Sequence, residues 1–370
     1  MSLIEFNANK EKILYVSNNA PAKPHELYDA FKRITDTDIL YKEDVYKTSY
    51  SRKFNFLRNA FSKIGLPLDK GLNKKILNKV ISGAYDIVLI HKGNDIYPST
   101  LSKIKRLYPA LKLVNWSFDD MMARHNRSLY YTHGLKLYDL VVTVKSFNCN
   151  PEELPSLGAK NILLLNQIYC RYTHNPCENC ERISDKFDVV FIGYAERERF
   201  ECMNFLAENG IKLHVFGTGW NKKTYQKHNK NLHIHFRELL KKDYANTISC
   251  SKISLCFLRK INRDVITKRS VEIPACRGFM VAERTNEHLK FFREDKEAVF
   301  FASKEELLEK VRYYLEHEEE RKKIAQAGYE KCLRMNCTYD DMARAILAKI
   351  VYPDGCVEKS PRPILNEVPG

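Results

Sequence analysis

The sequence predicts an α/β protein made of two domains, each with a parallel β-sheet covered by helices. Short apolar runs alternate with helical patterns along most of the chain, which is typical of parallel sheets flanked by helices. At 370 residues the chain exceeds the usual size of one core, and 44% of its residues are hydrophobic. Two well-packed domains are therefore expected.

The first half contains candidate strands that are short and rich in β-branched residues or leucine. They are Lys12–Ser17, Asp86–His91, Lys112–Trp116, Leu140–Val144 and Ile162–Leu165. Helical patterns lie between them at Pro24–Thr35, Leu72–Ser82, Ser99–Leu107 and Arg127–Leu137. This order predicts a Rossmann-like domain.

A segment rich in proline, cysteine and charge, residues 166–186, interrupts the alternation and is interpreted as a connector. The pattern then restarts. Its candidate strands are Asp188–Gly193, Lys212–Gly217, His233–Phe236, Ile253–Leu258, Gly278–Ala282 and Ala298–Phe301, and its candidate helices are Arg197–Asn209, Leu239–Ser249, Val271–Cys276, Lys304–Glu316 and Glu318–Met335. A second Rossmann-like domain is predicted.

The expected boundaries are 1–180 for the first domain and 181–337 for the second. Residues 338–370 are expected to form a C-terminal helix and an irregular tail that crosses back to the first domain. Ligands bind parallel sheets outside the carboxyl ends of the strands, so we expect the two domains to face an interdomain cleft.

The charge balance predicts an anionic partner. The sequence has 61 Lys plus Arg against 46 Asp plus Glu, a net charge of +15, which suits a nucleotide, nucleic acid, anionic lipid or acidic glycan. The N-terminus lacks the apolar core of a signal peptide, and no stretch is long and apolar enough to span a bilayer. A cytoplasmic location is expected.

Most of the eleven cysteines lie in apolar or helical segments and are expected to be reduced thiols. Cys170, Cys177 and Cys180 are different, because His174 lies between them and the set has the ligand types of a zinc site. A second ligand pair at finger-like spacing is missing. A metal site and a linker with free thiols both remain open.

The segment 268–283 places cations, carboxylates and a glycine within a few residues of each other. Lys268 and Arg269 suit a diphosphate, Glu272 suits the two hydroxyls of a ribose, and Gly278 suits a turn between a short helix and an apolar strand. A nucleotide-binding dehydrogenase is disfavoured, because no G-x-G-x-x-G follows a strand, and a Walker A motif is absent as well. Nucleotide binding would use another route.

Two regions carry a resemblance to a known family. The run RSVEIPACRGFMVAE at 269–283 and the helical segments at 305–315 and 320–329 resemble the C-terminal half of GT-B glycosyltransferases. They resemble most the CgeB-like (spore maturation type) branch of the glycosyl transferases group 1 superfamily, which NWSFDD at 115–120 resembles more weakly. The resemblance implies a GT-B fold and transfer of a sugar from a nucleotide donor.

The resemblance also implies roles for single residues of the donor site. Glu272 stands where the family has the glutamate that binds the ribose hydroxyls, and Lys268 and Arg269 stand where cations meet the diphosphate. Gly193 would let the backbone approach the phosphates. Asp264 stands eight residues before Glu272, where retaining relatives carry a glutamate, so the stereochemistry stays open.

Three carboxylates complete the set of candidate site residues. Glu283 either contacts the donor or ends a buried strand. Asp119 and Asp120 follow a predicted strand of the first domain, where a carboxylate could act as the general base that takes the proton of an acceptor hydroxyl. Capping of a following helix is the alternative, and His125 and His133 are competing bases.

The segment 47–79 holds nine Lys or Arg against one acidic residue, interleaved with aromatic and aliphatic residues. This pattern fits contact with an anionic membrane surface or a lipid-linked acceptor, and therefore a peripheral location on the inner face of a membrane. A nucleic-acid surface or an ordinary solvated helix face would show the same pattern. Because no nucleic-acid-binding motif is recognisable, nucleic acid is the less favoured partner.

The predicted function is a hexosyltransferase-like glycosyltransferase of polysaccharide or cell-envelope biosynthesis. It would use a UDP- or GDP-sugar as substrate, a glycan, lipid-linked or protein acceptor, and neither a cofactor nor a metal, since Asp119-Asp120 is not a DxD motif. A sugar-nucleotide epimerase of the same fold and a non-enzymatic binder of anionic polymer are the alternatives.

Overall fold

The computed structural model describes residues 11–18, 25–42, 61, 65–68, 71–178, 187–221, 225 and 228–352. The chain divides into two compact units. The first contains the described residues up to Asn166 together with the helix that begins at Tyr339, and the second contains Gln167–Thr338. None of the described helices is long and apolar enough to cross a membrane.

The first unit is a six-stranded parallel sheet with the strand order β2-β1-β3-β4-β5-β6. Its elements in chain order are β1 Ile13–Ser17, α1 Glu26–Ile34, β2 Thr37–Tyr41, α2 Leu72–Gly83, β3 Ile87–His91, α3 Pro98–Leu107, β4 Lys112–Ser117, α4 Leu129–Gly134, β5 Leu140–Thr143 and β6 Ile162–Leu164. Residues 14, 16, 88, 90 and 113 of its strands are buried in one apolar cluster.

The second unit is also a six-stranded parallel sheet, with the order β12-β11-β10-β7-β8-β9. Its elements are β7 Val189–Ile192, α5 Arg197–Glu208, β8 Leu213–Phe216, β9 Leu232–Ile234, α6 Lys241–Cys250, β10 Ile253–Cys256, α7 Arg269–Ala275, β11 Met280–Glu283, α8 Asn286–Phe291, β12 Val299–Phe301, α9 Lys304–Glu316 and α10 Glu318–Arg334. Each face of this sheet is buried in its own apolar cluster, as a parallel sheet requires.

The last described helix, α11 (Tyr339–Val351), packs against α1 within the first unit. Asp340 is 4% exposed, and Arg33 Nε donates to its Oδ1 at 3.1 Å. A carboxylate buried to this degree needs such a partner. The ion pair and the apolar face of α11 therefore attach the C-terminal helix to the N-terminal sheet.

Three differences from the predicted elements have physical reasons. Strand β2 was not predicted, because Asp38 interrupts its apolar pattern and it follows α1 closely. Helix α8 is a short, capped helix of six residues without a clear apolar period. The connector belongs to the second unit from Gln167 onward, because Tyr169 N donates to Cys337 O at 2.9 Å and Cys177 N to Ser249 Oγ at 3.0 Å.

Candidate active site

Each sheet has a switch point, which is a pair of neighbouring strands whose next strands lie on opposite sides of the pair. In the second unit these neighbours are β7 and β10. The loops that follow them diverge at their carboxyl ends, which leaves the crevice where parallel α/β sheets bind ligands. The residues beside this crevice come from the loop 193–196, the first turns of α5 and α7, and the segment 257–264.

Arg199, in the first turn of α5, is the most unusual cation of this crevice. Its side chain is 3% exposed, and Nη1 donates to Tyr194 O at 3.0 Å. Nε lies 3.3 Å from Glu196 Oε2, but neither Nε nor Nη2 makes a hydrogen bond to a described residue. Burial and the neighbouring Arg269 lower the pKa of Arg199 to about 10, so the group still carries its charge at neutral pH.

Arg269, the first residue of α7, lies on the same aromatic ring as Arg199. The Cζ atom of each guanidinium is 5.8 Å from the centroid of the Phe191 ring. Arg269 Nη2 donates to Phe257 O at 3.4 Å, and its buried Nε has no hydrogen-bond partner among the described residues. Two like charges with unused donors therefore meet at the switch point of the sheet.

The carboxylates nearby neutralise this pair only in part. Glu196 is shared, because its Oε1 accepts from Arg259 Nε at 2.8 Å. Glu283 Oε1 accepts from the amide of Leu258 at 3.0 Å, and burial raises the pKa of Glu283 above its ordinary value. Buried donors without acceptors are costly unless a ligand supplies the acceptor. A phosphate group has the charge and the oxygen atoms to do so.

Glu272 lies one turn after Arg269 on α7, and both of its oxygens face donors of its own unit. Tyr244 Oη donates to Glu272 Oε2 at 3.2 Å. His174 Nε2 lies 4.0 Å from Glu272 Oε1. The carboxylate is 16% exposed, so it remains open to solvent on one side.

Lys268 and Asp264 occupy the loop that leads into α7. Lys268 is the N-cap residue of this helix and is partly exposed. Asp264 is partly buried, and its amide donates to Arg259 O at 3.1 Å after a 3₁₀ turn at Lys260–Asn262. Both residues thus stand in the segment between β10 and α7, on the crevice side of the sheet.

The two predicted glycines lie where the chain packs closely. The amide of Gly193 donates to Phe216 O at 2.9 Å and is not free for a phosphate, and a Cβ at Gly193 would lie 2.6 Å from Phe191 Cζ. A Cβ at Gly278 would lie 2.5 Å from Ile248 Cγ2. The left-handed residue that ends α7 is Arg277, with φ 57°. Gly278 lies in the predicted connection between α7 and β11, where its amide donates to Ile273 O at 3.0 Å, and the phosphate role of Gly193 stays a prediction without a free amide to support it.

The switch point of the first unit, between β1 and β3, holds an open depression of about 220 Å³. Its lining includes Ser17, Lys42, His91, Asn94 and Asp95. Lys42 forms an ion pair with Asp95, so the cation of this depression is compensated. Polar and aliphatic residues share the lining, which carries little net charge.

Asp119 lies after β4 and forms an ion pair with Lys92. Burial opposes ionisation of Asp119, but Lys92 and Lys145 outweigh it and lower the pKa of its carboxyl below the ordinary value. The group is thus ionised and partly buried, with 27% of its side chain exposed. A low pKa weakens a general base, so the ion pair must loosen if Asp119 is to accept a proton.

Asp120 lies in a buried turn and does not cap a helix. It is completely buried, and its Oδ1 accepts from Met122 N at 3.0 Å and from Asn148 Nδ2 at 2.9 Å. The first bond is the side-chain-to-backbone bond of an Asx turn. A chain of turns follows it where the capping hypothesis expected a helix. The catalytic prediction for Asp120 is therefore corrected to a structural role.

The metal alternative for the Cys and His segment finds no support among the residues that the structure describes, where no three His, Cys, Asp or Glu side chains converge. Cys170 is a free thiol, and His174 faces Glu272. Cys180 lies outside the described residues.

Arg199 and His174 are the residues that sequence reasoning missed. Arg199 ends the run of alternating charge Glu196-Arg197-Glu198-Arg199 before Phe200, a pattern typical of a solvated helix start. Its position was the signal for an anion site, because Arg199 follows a strand and a glycine and lies in the first turn of a helix, where anions bind. His125 and His133 are exposed, whereas His91 stacks on Trp116 with ring centroids 4.0 Å apart.

Comparison with known proteins agrees with this architecture. Residues 197–348 match the family model described as glycosyl transferase-like. No curated protein matches the sequence. Among solved structures, this chain is similar to sucrose-phosphate synthase from Thermosynechococcus elongatus, with a TM-score of 0.66 at 10% sequence identity. The alignment covers 94% of this chain and 100% of the synthase chain.

Two further structures contain nucleotides. HepE from Anabaena, in complex with UDP-glucose, has a TM-score of 0.61 at 11% identity and covers 92% of this chain and 99% of its own. An α-glucosyltransferase in complex with UDP and a 13-mer DNA has a TM-score of 0.63 at 13% identity. The alignment covers 92% of this chain and 99% of the glucosyltransferase chain. The chain therefore has the α/β two-domain fold of GT-B proteins, and the family match at residues 197–348 falls mostly within the second unit.

Proposed function

We propose that this protein is a glycosyltransferase that moves a sugar from a nucleotide-sugar donor to an acceptor hydroxyl. The observation that carries the proposal is the pair of the buried Arg199 and the partly buried Arg269, because Arg199 Nε and Nη2 and Arg269 Nε are buried without hydrogen-bond partners among the described residues. The match to the glycosyl transferase-like family model spans both residues. The UDP complexes of two proteins with the same fold support a UDP-sugar as the first donor to test.

In this proposal the second unit holds the donor. Arg199 and Arg269 bind the diphosphate, and Lys268 adds a partly exposed cation at the start of α7. Glu272 accepts from the two ribose hydroxyls, for which a carboxylate is well suited. The cations contribute most when the bond between the sugar carbon and the diphosphate breaks, because negative charge then grows on the leaving oxygen. Charge stabilisation of this kind requires no metal.

The first unit is proposed to present the acceptor. The acceptor oxygen forms a bond to the sugar carbon as the diphosphate leaves, and its proton passes to a base. Asp119 is the candidate base, with Lys92 beside it. The depression between β1 and β3 has a charge-compensated lining of polar and aliphatic residues, which suits a hydroxyl-bearing ligand such as a glycan.

The narrower assignments are proposals from the sequence. They are the CgeB-like branch, a hexose bound to UDP or GDP, an acceptor in polysaccharide or cell-envelope biosynthesis, and peripheral membrane contact through 47–79. Most of the segment 47–79 lies outside the described residues. Binding to vesicles of anionic lipid, with neutral vesicles as the control, tests the membrane contact; equal binding to both would contradict it.

The proposal is tested by titrating UDP and GDP into the protein by calorimetry with EDTA present, followed by measurement of donor hydrolysis and transfer. We expect binding of at least one nucleotide without metal. Absence of binding and of turnover would overturn the assignment. Conversion of the donor sugar without an acceptor would identify an epimerase, and salt-sensitive binding to DNA without turnover would identify a non-enzymatic binder.

A further inference from the structure

The described part of the Cys and His segment forms a tight turn that orients the ring of His174. His174 N donates to Cys170 O at 2.8 Å, and Cys170 N donates to His174 Nδ1 at 3.0 Å. A backbone amide can only donate, so Nδ1 must present its lone pair. The neutral ring then carries its proton on Nε2. The turn therefore selects one tautomer and one direction for the N–H group.

That N–H group is on the side of Glu272. His174 Nε2 lies 4.0 Å from Glu272 Oε1, and the side chains are 12% and 16% exposed. The imidazole also packs edge-on against Tyr244, with ring centroids 5.5 Å apart and an interplanar angle of 67°. Three side chains from the connector, α6 and α7 thus form one small cluster.

Tyr244 acts on the other oxygen of the same carboxylate. Its hydroxyl donates to Glu272 Oε2 at 3.2 Å. Burial raises the pKa of Tyr244 well above its ordinary value, with the negative charge of Glu272 as a further cause, so the hydroxyl remains a donor. Each oxygen of Glu272 therefore faces one donor from its own unit and keeps lone-pair capacity for one more.

We propose that His174 and Tyr244 are positioning residues that hold the Glu272 carboxylate for the ribose hydroxyls and so set a preference for ribonucleotides over 2′-deoxyribonucleotides. This inference rests on the proposed function, in which Glu272 accepts from the ribose. A glutamate side chain otherwise loses considerable rotamer freedom when it binds a ligand. A carboxylate that is already held in place loses less side-chain entropy on binding and presents both oxygens to adjacent hydroxyls.

The experiment measures the dissociation constants of UDP and 2′-deoxy-UDP, and of GDP and 2′-deoxy-GDP, by calorimetry for the wild-type chain and for variants. His174→Phe keeps the aromatic contact with Tyr244 and removes the N–H donor, and Tyr244→Phe removes only the hydroxyl. We expect each variant to reduce the ribose preference by roughly threefold to tenfold, a part of what a hydrogen bond to a charged group contributes. His174→Gln restores a donor near the Nε2 position and should recover most of the preference.

His317→Phe is the matched control, because His317 is an exposed histidine of the same unit that stacks on Tyr313. It should leave the preference unchanged. Thermal unfolding of each variant identifies any that fails to fold, and Tyr244→Phe tests the cluster independently of the connector.

The outcomes separate the two proposals. A wild-type chain that binds none of the nucleotides overturns the donor site and this role with it. A wild-type chain that binds nucleotides without a ribose preference overturns the role of Glu272. If the wild type prefers ribose and both phenylalanine variants keep the full preference, His174 and Tyr244 do not position Glu272, and the glycosyltransferase proposal still stands.

Discussion

The switch points of the two sheets lie at equivalent positions of similar folds, but their cations differ in how completely they are paired. In the first unit, Lys42 is paired with Asp95 and Lys92 with Asp119. In the second unit, Arg199 and Arg269 lie on one ring, and several of their donors have no partner among the described residues. A buried charge without a full set of partners is expensive, so its presence indicates a ligand that completes it. The comparison supports the proposal that an anionic ligand binds the second unit and an uncharged one the first.

The largest expected effect comes from Arg199→Met. Loss of this buried cation should weaken UDP or GDP binding by about 100-fold or more, because a hydrogen-bonded charge pair in a buried site contributes several kcal/mol. The melting temperature should stay the same or rise, since methionine removes an incompletely paired buried charge. Calorimetry and thermal unfolding measure the two effects.

Arg197→Met is the matched control for this variant. Arg197 stands two residues earlier on α5, its side chain is 89% exposed, and it pairs with Glu201 at 2.7 Å. Nucleotide affinity should change less than twofold, as expected for an exposed pair. Equal losses in Arg197→Met and Arg199→Met would show that general charge, and not the buried pair, binds the nucleotide.

The second effect concerns the first unit. Asp119→Asn should lower the rate of transfer by about 100-fold, within the range of general-base catalysis, while the dissociation constant of the donor nucleotide changes little. Rates with saturating donor and calorimetry on the same preparation measure both quantities. Wild-type turnover in Asp119→Asn would remove this residue from the mechanism, and a large loss of nucleotide affinity would contradict the division of roles between the units.

The third effect is a pH dependence of stability confined to the second unit. His288 is completely buried, its Nε2 and Ser270 Oγ are 2.7 Å apart, and burial lowers the pKa of His288 from 6.5 to about 4. Below pH 6.5 His288 is therefore protonated in the unfolded chain but stays neutral in the folded chain. The contribution of His288 to the free energy of unfolding is fully present above pH 6.5 and is lost as the pH drops toward 4. Linkage predicts a loss of about 2 kcal/mol by pH 5.

Urea unfolding at pH 7 and pH 5 measures this loss, with His288→Gln as the comparison. The variant should be less stable at pH 7 and should show a smaller difference between the two pH values. An identical pH dependence of the unfolding free energy in both proteins would show that other groups cause it.

The smallest effect is expected for Lys42→Met. Lys42 is partly exposed and already neutralised by Asp95, so its loss should change the unfolding free energy by about 1 kcal/mol or less and leave nucleotide affinity within twofold. Calorimetry and chemical unfolding measure these changes. A strong loss of nucleotide affinity would show that the first unit also binds the anion, which would break the comparison.

The sequence predicted the fold well because its signals are local. The strands from Ile13 to Phe301 are short apolar runs between amphipathic helices, and this alternation needs no knowledge of distant contacts. Strand β2 was not predicted because Asp38 interrupts its apolar pattern. Its pairing with β1 is what makes it a strand.

The site was predicted less completely. Arg269, Lys268 and Glu272 could be proposed as site residues because their chemical types occur together in sequence and resemble a known family. Arg199 could not be distinguished from Arg197, since both stand in the same alternating run of charges. Only folding places one guanidinium on the Phe191 ring and leaves the other in solvent.

The sequence by itself determined two parallel α/β units and a cationic segment suited to a sugar nucleotide, because periodicity and residue chemistry are properties of neighbouring residues. The tertiary structure decided which cations are buried, that Asp120 is structural, and that His174 faces Glu272 across about one hundred residues of chain. Burial and partner atoms come from segments far apart in sequence, so neither can be derived from local pattern.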